Sequence, residues 1–340
     1  MNCAIYPAVR PRRLRQKVGF RRLFCETHLG VDDLICPLFV HEGLSQSQPI
    51  ASMPGQQQHA LGDLPKQLDG IASLGIPAIL LFGIPQSTDE NGSIALRQEG
   101  IVPRTLRLIK QRHPQLVIMT DLCLCSFLCH GHCGLVTPSG QVDNDSTLQL
   151  LGKMALLYAQ AGADVVAPSG MIDGMVQTIR HSLDKAKQQH VAILSYAAKQ
   201  ASHFYGPFRH AACSSPQFGD RRSYQMDPAN AREAMREMQQ DRAEGADALM
   251  IKPALPCLDI AHWARQQLNI PLVAYQVSGE YAMLHAAAQK GWLSLQHCAL
   301  ESLLAIKRAG ADAIVTYFAQ DCVRWLQKQK EGEYSNDKTS

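Results

Sequence analysis

Long apolar runs are missing from this chain. No stretch reaches the ~18 consecutive residues that a membrane span needs. No basic start, apolar core and small-residue cleavage site marks a signal peptide either. The reading is therefore of a cytoplasmic protein with no membrane partner. An excess of one charge is missing too. Lysine and arginine total 33 against 30 acidic residues, a net charge of +3, too small to make nucleic acid the main partner. Nor is there a disulfide framework. The cysteine count is odd, at 11, and outside one cluster the cysteines are thinly spread, which points to a reducing compartment. The chain does have apolar residues, 46% of 340, with 19% charged. That is enough core for one large domain or two small ones.

The exceptional stretch runs from Asp121 to Gly134. Cys123, Cys125, Cys129 and Cys133 share eleven residues with His130 and His132, directly after the β-branched, apolar run Leu116–Thr120. Thiols at the end of a buried strand can meet on one soft metal ion such as zinc. Buried free cysteines are common core residues, but packing gives no reason for Cys133 to rejoin a C-x-C pair beside two histidines. A second C-x-x-C or an H-x₃-H is lacking, so a zinc finger or ribbon is excluded. Three thiolates leave a coordination position open, which suits a catalytic site.

Eight apolar runs recur along the chain: Asp33–Val40, Ile76–Gly83, Leu116–Leu124, Asp164–Ser169, Val191–Lys199, Asp247–Pro253, Leu272–Gly279 and Asp312–Phe318. Segments of helical period separate most of them, among them Leu64–Leu74, Pro103–Arg112, Ser146–Ala161 and Pro228–Glu244. Alternation of this kind implies a parallel sheet, and eight units imply an α/β fold of the (β/α)₈ TIM-barrel type. Gly-Ala-Asp occurs at 162–164, 245–247 and 310–312, each time between a helix and a strand. Glycine there can end the helix in the left-handed conformation. The repeat sets the phase of the barrel, because the loop after each strand then lies on the opposite, C-terminal face. The expected division is an N-terminal arm over 1–32, a catalytic barrel over 33–330 and a polar tail over 331–340. The segment 200–227 is too long for a simple connection and reads as a lid.

Two lysines, Lys199 and Lys252, end strands on the C-terminal face. Desolvation beside another cation lowers a lysine pKa and yields an amine able to condense with a ketone. Arg209 and Arg221 on the lid suit bidentate capture of a carboxylate. Ser278 and Tyr317 offer hydroxyls. The first 25 residues hold seven basic residues and no acid or serine. A transit peptide, a nucleic-acid arm and a subunit-packing arm compete there. Packing is favoured, because Ile5, Tyr6, Val9, Leu14, Val18, Phe20, Leu23 and Phe24 interleave with the basic residues.

Together, Asp121–Gly134, Ser195–Lys199, Phe204–Arg209, Gly219–Tyr224, Met250–Pro253 and Val277–Glu280 resemble the porphobilinogen synthase (5-aminolevulinate dehydratase) family. The likeness runs from about Arg10 to Trp325. It implies a hydro-lyase of tetrapyrrole (haem) biosynthesis that joins two 5-aminolevulinate molecules into porphobilinogen, on a barrel whose arms hold a homo-octamer together. It further implies that Lys252 forms a Schiff base with the first substrate, whose carboxylate meets Ser278 and Tyr317. Lys199 would be the second Schiff-base lysine. Arg209, Arg221 and Gln225 would hold the second substrate. Cys123, Cys125 and Cys133 match the zinc ligands of the zinc-dependent type, and Glu237 matches an allosteric magnesium ligand.

The chain departs from the family pattern at an extra thiol, Cys129, at Ser223, and at Gly170 and Met175. None of these removes a residue with an assigned chemical role. A Schiff-base aldolase or lyase on the same barrel would explain one lysine but not three thiols. A zinc-dependent nucleic-acid binder would explain the arm but neither lysine.

Overall fold

The structure is a computed structural model that describes residues 8–336. Eight parallel strands close on themselves: β1 (Leu34–His41), β2 (Ala78–Ile84), β3 (Val117–Leu122), β4 (Val165–Pro168), β5 (Ala192–Lys199), β6 (Ala248–Lys252), β7 (Leu272–Gln276) and β8 (Ala313–Thr316). Closure comes from β1 against β8, with Leu34 opposite Ile314 and Ile35 opposite Val315. A short ribbon, Gln48–Pro49 with Gln57–Ala60, extends the edge of β1. Strand bounds fall within a few residues of the apolar runs. The strands are buried on both faces, as parallel strands under a helical layer must be.

The helices also follow the sequence pattern. Ile101–Arg112 carries Pro103 in its first turn, where the missing amide costs nothing. Asp143 caps Asn144–Ala161, accepting from the Ser146 amide at 3.1 Å. Two differences stand out. The lid segment contains a helix, Gly206–Ala211, although no regular pattern marks it in the sequence. The last helix, Ala319–Asn336, continues past residue 330 into the expected polar tail. Residues 337–340 of the expected tail lie outside the described residues. So do Ile5 and Tyr6 of the arm.

The arm has a 3₁₀ turn, Pro11–Arg15, and a helix, Val18–Leu23, neither with a buried residue. Val9, Leu14, Val18, Phe20, Leu23 and Phe24 are all exposed, Leu23 at 72%. Among the described residues no helix is long and apolar enough to cross a membrane.

The Gly-Ala-Asp repeat has a double use. Gly162, Gly245 and Gly310 hold φ of 108°, 105° and 126°, which L side chains rarely adopt. Each aspartate then reaches back to the first amides of the preceding strand. Asp164 accepts from Ile118 at 2.9 Å, Asp247 from Ile193 at 2.8 Å and Asp312 from Leu272 at 2.9 Å. Lys110 and Arg265 pair with the first and last of these carboxylates. This end of the barrel is thus stitched for stability. Asp247→Ala should lower the unfolding free energy by about 1 kcal/mol, the net value of one such hydrogen bond, with turnover unchanged. Urea unfolding reads this out, and an unaltered midpoint would show that the stitch contributes nothing.

Candidate active site

At the opposite end the strands deliver their chemistry to one small cavity. Asp121, Cys123, Cys125, Ser169, Lys199, Arg221 and Lys252 line it, with Phe82 and Phe208 as apolar walls. Lys199 and Lys252 are paired residues on adjacent strands, and both are about 5% exposed or less. Paired residues in parallel strands share a face, so the two amines are neighbours.

Lys252 sits among aromatic rings. Its Nζ lies 4.2 Å from the ring centre of Tyr275, 4.9 Å from Phe208 and 5.1 Å from both Tyr196 and Tyr205. Ring faces attract an ammonium but do not replace its water. Burial, reinforced by the Lys199 charge, pushes the Lys252 pKa down to about 7. Lys199 donates to the Ser169 carbonyl. Burial pushes the Asp121 carboxyl up to about 6, against the pull of Lys199 and a hydrogen bond with Ser169. A carboxyl and an amine thus titrate near neutrality in one closed space.

The cysteine loop stands on the same floor. The sulfurs of Cys123, Cys125 and Cys133 all lie within 4.8 Å of one another, and all three residues are buried. Three thiolates each ~2.3 Å from one zinc ion lie about 3.8 Å apart in a tetrahedral site, so this trio can close on a single ion with little adjustment. Cys133 is the most acidic thiol, held well below its usual range because Cys123 and Cys125 both donate to it, with Arg221 adding its charge. Cys123 is held up by the same sharing of protons and by burial. A cation at this point would favour the thiolate of Cys123 too, in place of the shared protons. Cys129 is exposed.

The lid closes over both features. The Gln200 amide donates to the Lys252 carbonyl at 3.0 Å and the Met226 amide to the Lys199 carbonyl at 3.1 Å. The lid therefore begins and ends on the two lysines. Its far side grips the cysteine loop. Arg221 donates to the Gly131 carbonyl at 2.9 Å, and the Gln217 amide donates to the His130 carbonyl at 3.0 Å. His132 bridges the two, with Nε2 3.1 Å from the Phe218 carbonyl and Nδ1 3.1 Å from the Tyr224 hydroxyl. A carbonyl only accepts, so Nε2 carries the proton and Nδ1 accepts from Tyr224. The enclosed space is about 20 Å³, room for one water. A molecule larger than water could enter only if segment 200–227 moved.

Not every expected contact is gathered at this cavity. Ser278 and Tyr317 do not line it. The Ser278 hydroxyl accepts from the Phe208 amide at 2.9 Å and faces the Phe204 carbonyl at 3.3 Å. The Tyr317 hydroxyl pairs with that of Tyr275 at 2.8 Å. Arg209 is half-buried, and its pKa is lowered by burial and by Arg221. The Arg209 Nε and both amide atoms of Gln225 are buried without a partner, as groups awaiting a ligand would be. Glu237 lies elsewhere, in a groove of about 670 Å³ shared with Asp173, Glu233 and lid residues 222–227. Burial raises its carboxyl pKa, and Asp173 adds to the rise.

The motifs did not single out roles for Asp121, Tyr196 and Glu280. Glu280 is 1% exposed and accepts from the Val277 amide at 2.6 Å and the Leu255 amide at 2.7 Å. It ties the end of β7 to the turn after Lys252. An acid directly after a strand-end Val-Ser-Gly is the one signal that marked it.

Comparison with known proteins identifies one family over nearly the whole chain. The family model described as delta-aminolevulinic acid dehydratase matches residues 8–325. The delta-aminolevulinic acid dehydratase of Halalkalibacterium halodurans is 51% identical over 321 residues, 94% of this chain and 98% of that protein. That of Synechocystis is 51% identical over 326 residues, 95% of this chain and all of that protein. The crystal structure of the Toxoplasma gondii enzyme, solved with its product porphobilinogen, superposes with a TM-score of 0.92. Its identity is 44%, over 93% of this chain and 91% of that one. With its closed barrel, paired lysines and three-thiol loop, this chain belongs to the delta-aminolevulinic acid dehydratase (porphobilinogen synthase) family.

Proposed function

We propose that the protein condenses two molecules of 5-aminolevulinate into porphobilinogen with loss of two waters, a step of tetrapyrrole biosynthesis. One observation carries the chemistry: two buried lysines side by side, above three sulfurs that can share one ion. The substrate is a γ-keto acid bearing an amine. A neutral Lys252 amine can add to the ketone and expel water, leaving an imine. The surrounding rings favour the protonated imine as they favour the ammonium. Asp121, titrating near the same pH, is placed to take and return the protons. Lys199 would hold the second substrate in the same way, and Arg209, Arg221 and Gln225 offer unused donors for its carboxylate. Ser278 and Tyr317 would take the first carboxylate once the lid releases the Ser278 hydroxyl.

Cys123, Cys125 and Cys133 would hold zinc. When bound, the ion would supply Lewis-acid polarisation of the second substrate's carbonyl or hold its amine. The crowding of Glu237 by Asp173 supports a divalent cation such as magnesium in the groove as a regulator. The exposed apolar arm supports a homo-oligomer, for which the family resemblance suggests an octamer.

Incubating the pure protein with 5-aminolevulinate and assaying the pyrrole with an aldehyde reagent tests the reading directly; no pyrrole would refute it. Cys133→Ala, or removal of the metal by a chelator, should abolish pyrrole formation. Lys252 should still form an imine that borohydride traps, because the sulfurs serve the second substrate. Loss of trapping along with turnover would mean that the metal serves the first substrate too.

Lid closure has its own test. A methyl group added at Gly279 would stand 2.5 Å from the Phe204 carbonyl oxygen and 2.7 Å from its Cα, both backbone atoms that must shift. Gly279→Ala should therefore lower kcat and speed limited proteolysis within residues 200–227. Unchanged rates in both assays would show that the lid does not rest on this contact.

A further inference from the structure

Strand β5 reaches the site by a different count from its neighbour. Ser195 pairs with Leu249, and Lys199 pairs with Lys252. Over that stretch β6 takes three steps while β5 takes four. Side chains alternate along a strand. Three steps move β6 from the outer face at Leu249 to the inner face at Lys252. Four regular steps would return β5 to the face on which it began. Ser195 begins outside, where its hydroxyl donates to Asp241 Oδ2 at 2.6 Å across to helix Ala231–Ala243. Tyr196 then points inward, its ring 5.1 Å from the Lys252 Nζ. Lys199 nonetheless also lies inside, 5.5 Å from the Tyr196 ring and on the cavity wall.

The difference is the register shift between Ser195 and Ala198. One extra residue there makes a β-bulge, and such bulges re-aim the side chains beyond them. Without it Lys199 would face the helical layer. Ser195 opens the bulge and is completely buried, and Asp241 is 8% exposed. Burial raises the Asp241 carboxyl pKa to about 7, and the Ser195 hydrogen bond opposes that rise. Small residues, Ala197 and Ala198, fill the bulge itself.

We propose that the Ser195–Asp241 hydrogen bond fixes this bulge and with it the inward setting of Lys199, so that both are positioning residues for the second lysine. The inference rests on the reading of Lys199 as the second Schiff-base lysine. Ser195→Ala should lower kcat roughly tenfold to a hundredfold, since a 1 Å misplacement of a reacting group costs ~10²-fold. Trapping of one 5-aminolevulinate on Lys252 should stay complete, and Ser195→Thr, which keeps the hydroxyl, should restore most of kcat. Should the alanine variant fail to fold, Ser195→Cys, isosteric with a weaker donor, should still lose kcat several-fold. A wild-type kcat in Ser195→Ala or Ser195→Cys overturns the proposal. So does a loss of Lys252 trapping in step with kcat, which would mark a general structural role. Lys199→Ala separates the two levels. Full turnover in that variant refutes the role of Lys199 itself, whereas an inactive Lys199→Ala beside a fully active Ser195→Ala refutes only the anchor.

Discussion

The withholding of water from two adjacent ammonium groups is the constraint on which the site depends. Charge in a low-dielectric space is costly, and two like charges there cost more. Lys252 relieves that cost by giving up its proton near pH 7. An exposed lysine at the same pH would be almost wholly protonated and inert toward a ketone. The aromatic rings, the lid and the depth of the barrel mouth all serve this single end. Phe208 shows how closely they are joined. It belongs to the lid, packs edge-on against Phe82 of β2, and lies 4.9 Å from the Lys252 nitrogen. Moving the lid therefore changes the solvation of the Lys252 amine as well as access to it.

The two ends of the barrel divide the work. At the N-terminal end, glycines in the left-handed conformation and aspartates bonded to strand amides satisfy the backbone. At the C-terminal end, buried polar atoms are left without partners, in Arg209, Arg221 and Gln225. Unpartnered buried hydroxyls also occur elsewhere, as at Thr105 and Tyr158, but the guanidinium and amide groups are the ones whose donors suit a carboxylate. The helix Ala231–Ala243 links this end to the acidic groove. Glu237 faces the groove, and Asp241, one turn on, reaches the strand that carries Lys199.

Much of this was legible in the sequence, for reasons that differ from residue to residue. Strand-length apolar runs and the Gly-Ala-Asp repeat fix the order and phase of the barrel, since both depend only on local periodicity. The thiol cluster was readable from loop spacing, whereas the choice of Cys123, Cys125 and Cys133 over Cys129 came from family likeness. The lid helix Gly206–Ala211 was not readable. Six residues are too few for a period, and its stability comes from packing on Phe82 and on the start of the helix at Ser278. The bulge in β5 was hidden as well. Ser-Tyr-Ala-Ala-Lys reads as a plain strand, and only the register against β6 reveals the extra residue. Ser278 and Tyr317 were placed near the substrate by family likeness. The engagement of Ser278 with the lid backbone and of Tyr317 with Tyr275 depends on tertiary contacts, which no local pattern encodes.

The chemistry of the site turns on the state of Lys252. The decisive measurement is the initial rate of borohydride trapping of 5-aminolevulinate on this one residue as a function of pH, with the adduct located by mass spectrometry. A desolvated amine should gain reactivity about tenfold per pH unit below its pKa and level off above about 7. A rate that keeps climbing toward pH 10, as for an ordinary exposed lysine, would contradict the claim that burial among the rings makes the nucleophile.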